Sequence, residues 1–286
     1  MPGKVALITG ASGGIGKEAA LALRARGWQL ALIGRHPGRS QALGQALDTP
    51  FYVADFSSLQ EVAALARKLL ADWPRMDVLI NNAGGMFPRG KKTRDGHQAT
   101  FQVNHLAHFL LTRLLLDRLI ESGAAVINTA SVAHRLLGFL YQPERPETAF
   151  LDSAHLAYGN AKLANILFTR GLHQRYHTQG LSAAAVHPGV VATSFSHNTR
   201  SPMRFLYDSA LKGLPGVKSP ARGAEGLTAL ALGRPGVDWA SGEYYAGAKK
   251  ATPSRKARDD RAAKRLWEIS EAACTPFLQQ PASLPQ

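Results

Sequence analysis

Cysteine is nearly absent from the chain: among its 286 residues Cys274 stands alone. A single thiol forms no intrachain disulfide, no Cys-x-x-Cys redox pair and no cysteine-built metal centre, so an idle, buried thiol is the expectation. Long apolar runs are missing as well. Although 45% of the residues are hydrophobic, no stretch reaches the length that spans a bilayer, and the first strand-like run begins at Lys4, which leaves no room for a secretory leader. The expectation is a cytoplasmic protein without a transmembrane segment. No linker, repeat or low-complexity tract divides the chain. Acidic residues are scarce, 20 Asp and Glu against 34 Lys and Arg, for a formal charge of +14. Lys249 to Arg265 alone carries eight basic residues against Asp259 and Asp260. Such a run could attract nucleic acid or an anionic membrane surface. It lacks interleaved aromatics, a solvated helix face accounts for it, and no specific nucleic-acid partner is expected.

What is present is a regular alternation of strand and helix patterns, which predicts α/β architecture with a single core. Lys4-Val5-Ala6-Leu7-Ile8 reads as a buried strand running into Thr9-Gly10-Ala11-Ser12-Gly13-Gly14-Ile15-Gly16. An alanine-rich helix follows to Arg26, closed by Gly27, and a second apolar strand begins at Gln29. Glycines where a strand meets a helix let the backbone approach a pyrophosphate, and the helix N-terminus offers unpaired N–H groups to its charge. Further strands are predicted at Phe51–Ala54, Val78–Asn81, Ala125–Ala130, Ser182–His187 and Gly242–Tyr245, and long helices at Thr93–Ser122 and Ala157–His177. Ligands of an open parallel sheet bind outside the carboxyl ends of its strands, so Gly14, Asn81, Ser131 and Pro188 can share one crevice.

Tyr158 and Lys162 fall one helical turn apart, and an ammonium beside a phenol favours the phenolate, making a usable proton donor or acceptor. Spacing alone is weak, because Tyr245 and Lys249 repeat it with nothing catalytic nearby. His105 and His108 also share a helix face, but no third ligand accompanies them and packing is the expectation; no metal is predicted. Ser131 lacks a Gly-x-Ser-x-Gly elbow, which argues against a hydrolase.

On these motifs the chain resembles the short-chain dehydrogenase/reductase family. Gly10, Gly14 and Gly16 carry its glycine spacing, Asn81-Asn82-Ala83-Gly84 its next motif, Asn104 its helix asparagine, Ser131 its serine, Tyr158 and Lys162 its catalytic pair, and Pro188-Gly189 with Thr193 its nicotinamide-side turn. The ordered match runs from about residue 3 to about residue 250. Asn104 to Thr112, Tyr158 to Asn165 and Leu266-Trp267-Glu268-Ile269-Ser270 resemble the retinol-dehydrogenase-like branch. The resemblance implies one Rossmann-type domain over 1–286, a doubly wound parallel sheet with helices on both faces, a substrate loop at about 190–222 and a basic C-terminal extension at about 249–286. It further implies Asn104, Ser131, Tyr158 and Lys162 as catalytic residues. Gly10, Ser12, Gly14, Ile15, Gly16, Arg35, Asp55, Phe56, Asn82, Ala83, Gly84, Tyr158, Lys162, Pro188, Gly189, Val191 and Thr193 are the implied cofactor contacts.

Cofactor choice rests on the end of the second strand, where a carboxylate would bind the ribose of NAD and repel a 2′-phosphate. Gly34-Arg35-His36 stands there, with no acid before Asp48, and the Arg35 guanidinium suits NADP; NAD stays open. Asp55 has the position that contacts adenine in the family, or it caps the next helix. The implied reaction is hydride transfer between nicotinamide and a carbonyl or alcohol carbon of a small molecule. Met86, Phe87, Met203, Phe205, Leu206, Tyr207 and Leu211 could line an apolar pocket for a lipophilic substrate, or pack a lid. The rival reading is a dinucleotide-sensing regulatory protein without turnover, against which the intact set Asn104, Ser131, Tyr158 and Lys162 argues. A homo-oligomer is compatible with either.

Overall fold

The computed structural model describes residues 3–137, 153–191 and 217–279. Its strands are β1 (Val5–Thr9), β2 (Gln29–Gly34), β3 (Phe51–Val53), β4 (Val78–Asn81), β5 (Ala125–Thr129), β6 (Ser182–His187), β7 (Val190–Val191), β8 (Val217–Lys218), β9 (Glu243–Ala246) and β10 (Lys249–Lys250). Eight of them form one sheet in the order β10-β9-β6-β5-β4-β1-β2-β3, parallel except for the edge strand β10, while β7 and β8 pair separately. The helices are α1 (Gly14–Arg24), α2 (Pro37–Leu47), α3 (Leu59–Asp72), α4 (Ala99–Phe101), α5 (Ala107–Leu114), α6 (Leu116–Glu121), α7 (Ala154–Tyr176), α8 (Pro220–Leu232) and α9 (Asp260–Leu278).

Parallel strands covered by helices must be apolar on both faces, and side chains alternate between them. Val5 and Leu7 of β1 enter the core under α3, α5, α7 and α9, whereas Ala6 and Ile8 enter the opposite core under α1, α2 and α8. In β6, Ala183 and Ala185 face the first core and Ala184 and Val186 the second. The chain leaves β1 for β2 on one side and β4 lies on the other, so the strand order reverses at β1 and β4 and opens a crevice at their carboxyl ends. This is the expected doubly wound Rossmann-type sheet. Among the described residues, no helix is long and apolar enough to cross a membrane.

Several boundaries differ from the sequence expectation. The helix predicted from Thr93 starts at Ala99, because the chain first turns through Gly96 at φ +87° and Gln98 then caps, its Oε1 accepting from Phe101 N–H at 2.6 Å. A π-helical turn, Gln102–Leu106, interrupts it, and Leu115 breaks it again with φ −94° and ψ 0°. The helix predicted from Ala157 begins earlier, at Ala154, because Ser153 accepts from Leu156 N–H at 3.3 Å. β3 ends at Val53 and β5 at Thr129; Gly242 at φ +83° serves as the turn into β9, which runs on to Ala246. The basic segment is no appendage over its described part. Asp259 caps α9 by accepting from Arg261 and Ala262 N–H, and Trp267 packs on Phe109 and Phe168 beneath the Arg175 guanidinium, 4.3 Å from the ring.

Candidate active site

Gly10 opens the turn after β1 at φ +69°, and Gly14 opens α1 at φ +54°, a backbone conformation that a side chain disfavours. Gly16 is required for space: a Cβ there would lie 2.4 Å from the Gly10 carbonyl oxygen and 2.7 Å from Asn82 Nδ2. A Cβ on Gly10 would likewise meet Ala83 Cα at 2.9 Å. The glycines thus bring the α1 N-terminus against the β4 turn. That helix has no side-chain cap and no acid in its first turn, leaving its N–H groups for an anion. Ile15 and Val191 pack against Gly223 of α8, closing the cradle from the other side.

Thr9 ties the two turns together. Its hydroxyl accepts from Asn82 N–H and Ala83 N–H, both at 2.9 Å, and lies 3.2 Å from the Ile80 carbonyl and 3.1 Å from His108 Nε2. Asn82 Nδ2 returns a bond to the Thr9 carbonyl at 3.0 Å. Because His108 Nδ1 must donate to the Asn104 carbonyl, at 3.1 Å, its Nε2 is the acceptor. Burial pushes His108 down to about 3, so the ring is neutral. His105, also pushed to about 3 by burial, contacts Asn165 and Ser270. Both rings are engaged in packing contacts, and no cluster of three metal-ligating side chains exists among the described residues.

Asn104 sits within the π-helical turn, a deviation concentrated at functional sites because it re-aims one residue of a helix. Its Nδ2 donates to the carbonyls of Gly85 and Thr100, each at 2.7 Å, and its Oδ1 accepts from Gly85 N–H at 3.3 Å. A Cβ on exposed Gly84 would lie 2.4 Å from Asn104 Oδ1 and 3.5 Å from Lys162 Nζ, so these side chains converge on Gly84. Lys162 is 2% exposed, and Thr129 at the end of β5 accepts from its Nζ at 3.1 Å. Burial lowers its ammonium to about 7. The same carbonyl accepts from Asn165 Nδ2 at 3.0 Å. Lys162 Nζ lies 5.5 Å from the centre of the half-buried Tyr158 ring, one turn earlier on α7.

Ser131 lies two residues beyond β5, its Oγ accepting from Ala133 N–H at 3.2 Å, and its carbonyl is held by His134. Pro188 and Gly189 follow β6, with Gly189 at φ +91° beneath the Lys218 side chain. Arg35 and His36 are exposed at the end of β2, and a Cβ on Gly34 would lie 2.4 Å from Ser40 Oγ and 2.9 Å from Ser12 Oγ. Ser40 Oγ is buried without a partner among the described residues. Asp55 accepts from Ser57 N–H at 2.9 Å, and Ser58, not Asp55, caps α3. Phe56 is buried edge-on against His108. Met86 and Phe87 are buried near these turns. Thr193, Met203, Phe205, Leu206, Tyr207 and Leu211 lie outside the described residues. The sequence reading placed His108 in packing and Asn165 in a local signature without the bonds they make, and missed the roles of Thr9 and His134. Only the position of Thr9 at a strand end before the glycines was a usable signal.

A strand-end crevice with a glycine cradle on one side and a buried lysine beside a tyrosine on the other defines a dinucleotide-dependent oxidoreductase fold. The family model described as short chain dehydrogenase matches residues 4–143. Retinol dehydrogenase 12 of Mus musculus is 38% identical over 278 residues, covering 94% of this chain and 86% of that protein. DnrU of Streptomyces sp. (strain C5), assigned as a daunorubicin C-13 ketoreductase, is 37% identical over 281 residues, covering 96% and 93%. Among solved structures, an alcohol dehydrogenase from Thermococcus sibiricus in complex with 5-hydroxy-NADP superposes with a TM-score of 0.61 at 26% identity, over 82% of this chain and 92% of that one. The chain belongs to the short-chain dehydrogenase/reductase family of oxidoreductases, and its sequence is retinol-dehydrogenase-like.

Proposed function

We propose that the protein is an NADP-preferring oxidoreductase acting on a carbonyl or alcohol of a hydrophobic small molecule. The observation that carries this reading is Lys162, wholly buried and held by Thr129 beside Tyr158, facing the Gly84 turn across from the glycine cradle. Burying an amine with so little hydrogen bonding is expensive, and such perturbed groups cluster at functional sites.

A nicotinamide dinucleotide, when bound, supplies or accepts the hydride. In the reducing direction Tyr158 Oη donates a proton to the substrate oxygen, and Ser131 Oγ hydrogen-bonds the same oxygen and orients it. Lys162 holds the ribose hydroxyls with the donors that Thr129 leaves over and, when charged, favours the phenolate of Tyr158. Asn104 fixes the Gly85 backbone beside Lys162 and steadies the route by which that amine exchanges protons with solvent. The cradle fits a pyrophosphate, since Gly10 and Gly16 leave no room for a Cβ.

The adenosine end supports NADP. Arg35 is exposed after β2 without a competing acid, and α2 starts at Pro37 with no side-chain cap from His36. Ser12 and Ser40 crowd Gly34 beside it, and the Arg35 fork can donate two charge-assisted hydrogen bonds to a 2′-phosphate. The apolar substrate class is supported by the names of the relatives, a retinol dehydrogenase and a daunorubicin ketoreductase, and by the buried Met86 and Phe87. The test is turnover of a panel of lipophilic aldehydes, ketones and alcohols with both cofactors. Tyr158→Phe should bind cofactor as the parent does and lose at least about a hundredfold in rate; parental turnover by that variant would refute the assignment.

A further inference from the structure

Beyond β5 and β6, three buried or half-buried rings stand in line behind the crevice. His134 is fully buried; its Nδ1 lies 2.6 Å from the Ser131 carbonyl oxygen and its Nε2 3.0 Å from Ser254 N. A carbonyl only accepts and an amide N–H only donates, so the His134 proton is on Nδ1. His187 has the opposite assignment: its Nδ1 accepts from Gly189 N–H at 3.0 Å, which leaves its proton on Nε2. Between them stands the ring of Tyr244, edge-on to His134 at 5.2 Å and stacked with His187 at 5.7 Å.

We propose that His134 and His187, as neutral imidazoles of opposite tautomer braced on Tyr244, position the Ser131 turn and the Pro188–Gly189 turn, and that protonating His187 releases the Gly189 turn while protonating His134 frees it from Ser254. The inference rests on the reading of this crevice as a hydride-transfer site. Both are positioning residues: each acts through a backbone group of a turn, and neither is assigned a contact with substrate. Protonation places a new N–H against an amide that is itself a donor: on His187 it breaks the bond that holds Gly189, and on His134 it breaks the bond to Ser254 while the Nδ1–H bond to the Ser131 carbonyl stays.

The surroundings oppose that charge. Burial lowers both rings below the usual histidine value, Arg135 adds to the effect on both, and Lys218 adds to it on His187. Tyr244, pushed up to about 12 by burial, stays protonated and gives no compensating charge. Because the folded values are depressed, the neutral pair is favoured above the usual histidine value and is lost as the pH falls through the folded values. The acid limit of turnover is therefore set by this pair.

Long-range proton–nitrogen NMR of the cofactor-free protein tests the assignment directly. His134 should carry its proton on Nδ1 and His187 on Nε2, with both neutral at pH 8. Equal tautomers, or a charged ring at that pH, would overturn the proposal. In kinetics with NADPH and a carbonyl substrate from the panel, His187→Leu should lose at least about tenfold in kcat. His187→Asn, whose carboxamide oxygen accepts from Gly189 without titrating, should recover most of that loss and move the acid limb to lower pH. A His187→Asn profile with the parental acid limb would also overturn it. Should the parent turn over nothing, the functional reading fails, while the tautomers and the pH dependence of NADPH binding in parent and His187→Asn still decide the positioning pair.

Discussion

On the flank of the crevice formed by β1 and β4, two turns are fastened by backbone amides on the Thr9 hydroxyl and by glycines too close for a Cβ; on the flank formed by β5 and β6, the turns are fastened by imidazole rings. Thr9 does not titrate, and its neighbour His108 is held at about 3. That flank keeps its shape wherever the fold survives. His134 and His187 are only lowered from the ordinary histidine value, so the other flank carries a dependence on pH. The glycine cradle and the turns after β5 and β6 thus answer to different physical variables, steric fit in one and protonation in the other.

The sharpest way to break the first flank is Gly16→Ala. The added methyl would sit 2.4 Å from a backbone oxygen that belongs to the cradle itself, so dinucleotide binding should fall below detection in calorimetry while the far-UV spectrum is retained. Thr9→Val keeps the shape and removes the hydroxyl, stranding Asn82 N–H, Ala83 N–H and His108 Nε2. Denaturant titration should show a loss of roughly 3–5 kcal/mol, with the same deficit at pH 6 and pH 8. A deficit that changes across that interval would erase the contrast between the flanks. Arg35→Asp acts on the adenosine end alone. It should shift the NADP-to-NAD binding ratio by roughly 2–4 kcal/mol and leave the acid limb of turnover where it was; an unchanged ratio would make Arg35 a surface charge.

The first flank was legible in the sequence because its constraints are local: glycines between a strand and a helix, and an Asn-Asn-Ala-Gly run after another strand. Strand alternation likewise gave the sheet, since burial on both faces leaves uninterrupted runs such as Val5 to Thr9. The helix through Asn104 was drawn too early and too straight. Its start depends on the Gly96 turn and the Gln98 cap, and its π-helical turn on no residue pattern at all. His134 was invisible for a different reason. Its partner Ser254 lies 120 positions away, and a histidine three residues after a serine looks the same whether or not such a partner exists. Asn165, four positions before Thr169, was read only as part of a local signature, although it shares the Thr129 carbonyl with Lys162.

Lys162 has a thermodynamic consequence for ligand binding as such. Its amine, lowered by burial to about 7, is only partly charged at neutral pH before anything binds. An anionic dinucleotide seated beside it favours the ammonium, so association draws protons from the solution. The heat measured at pH 7.5 should therefore vary in proportion to the ionisation enthalpy of the buffer, and affinity should weaken as the pH rises above about 7. Lys162→Met should abolish both trends. Seating a dinucleotide beside Lys162 should thus also be the uptake of a proton.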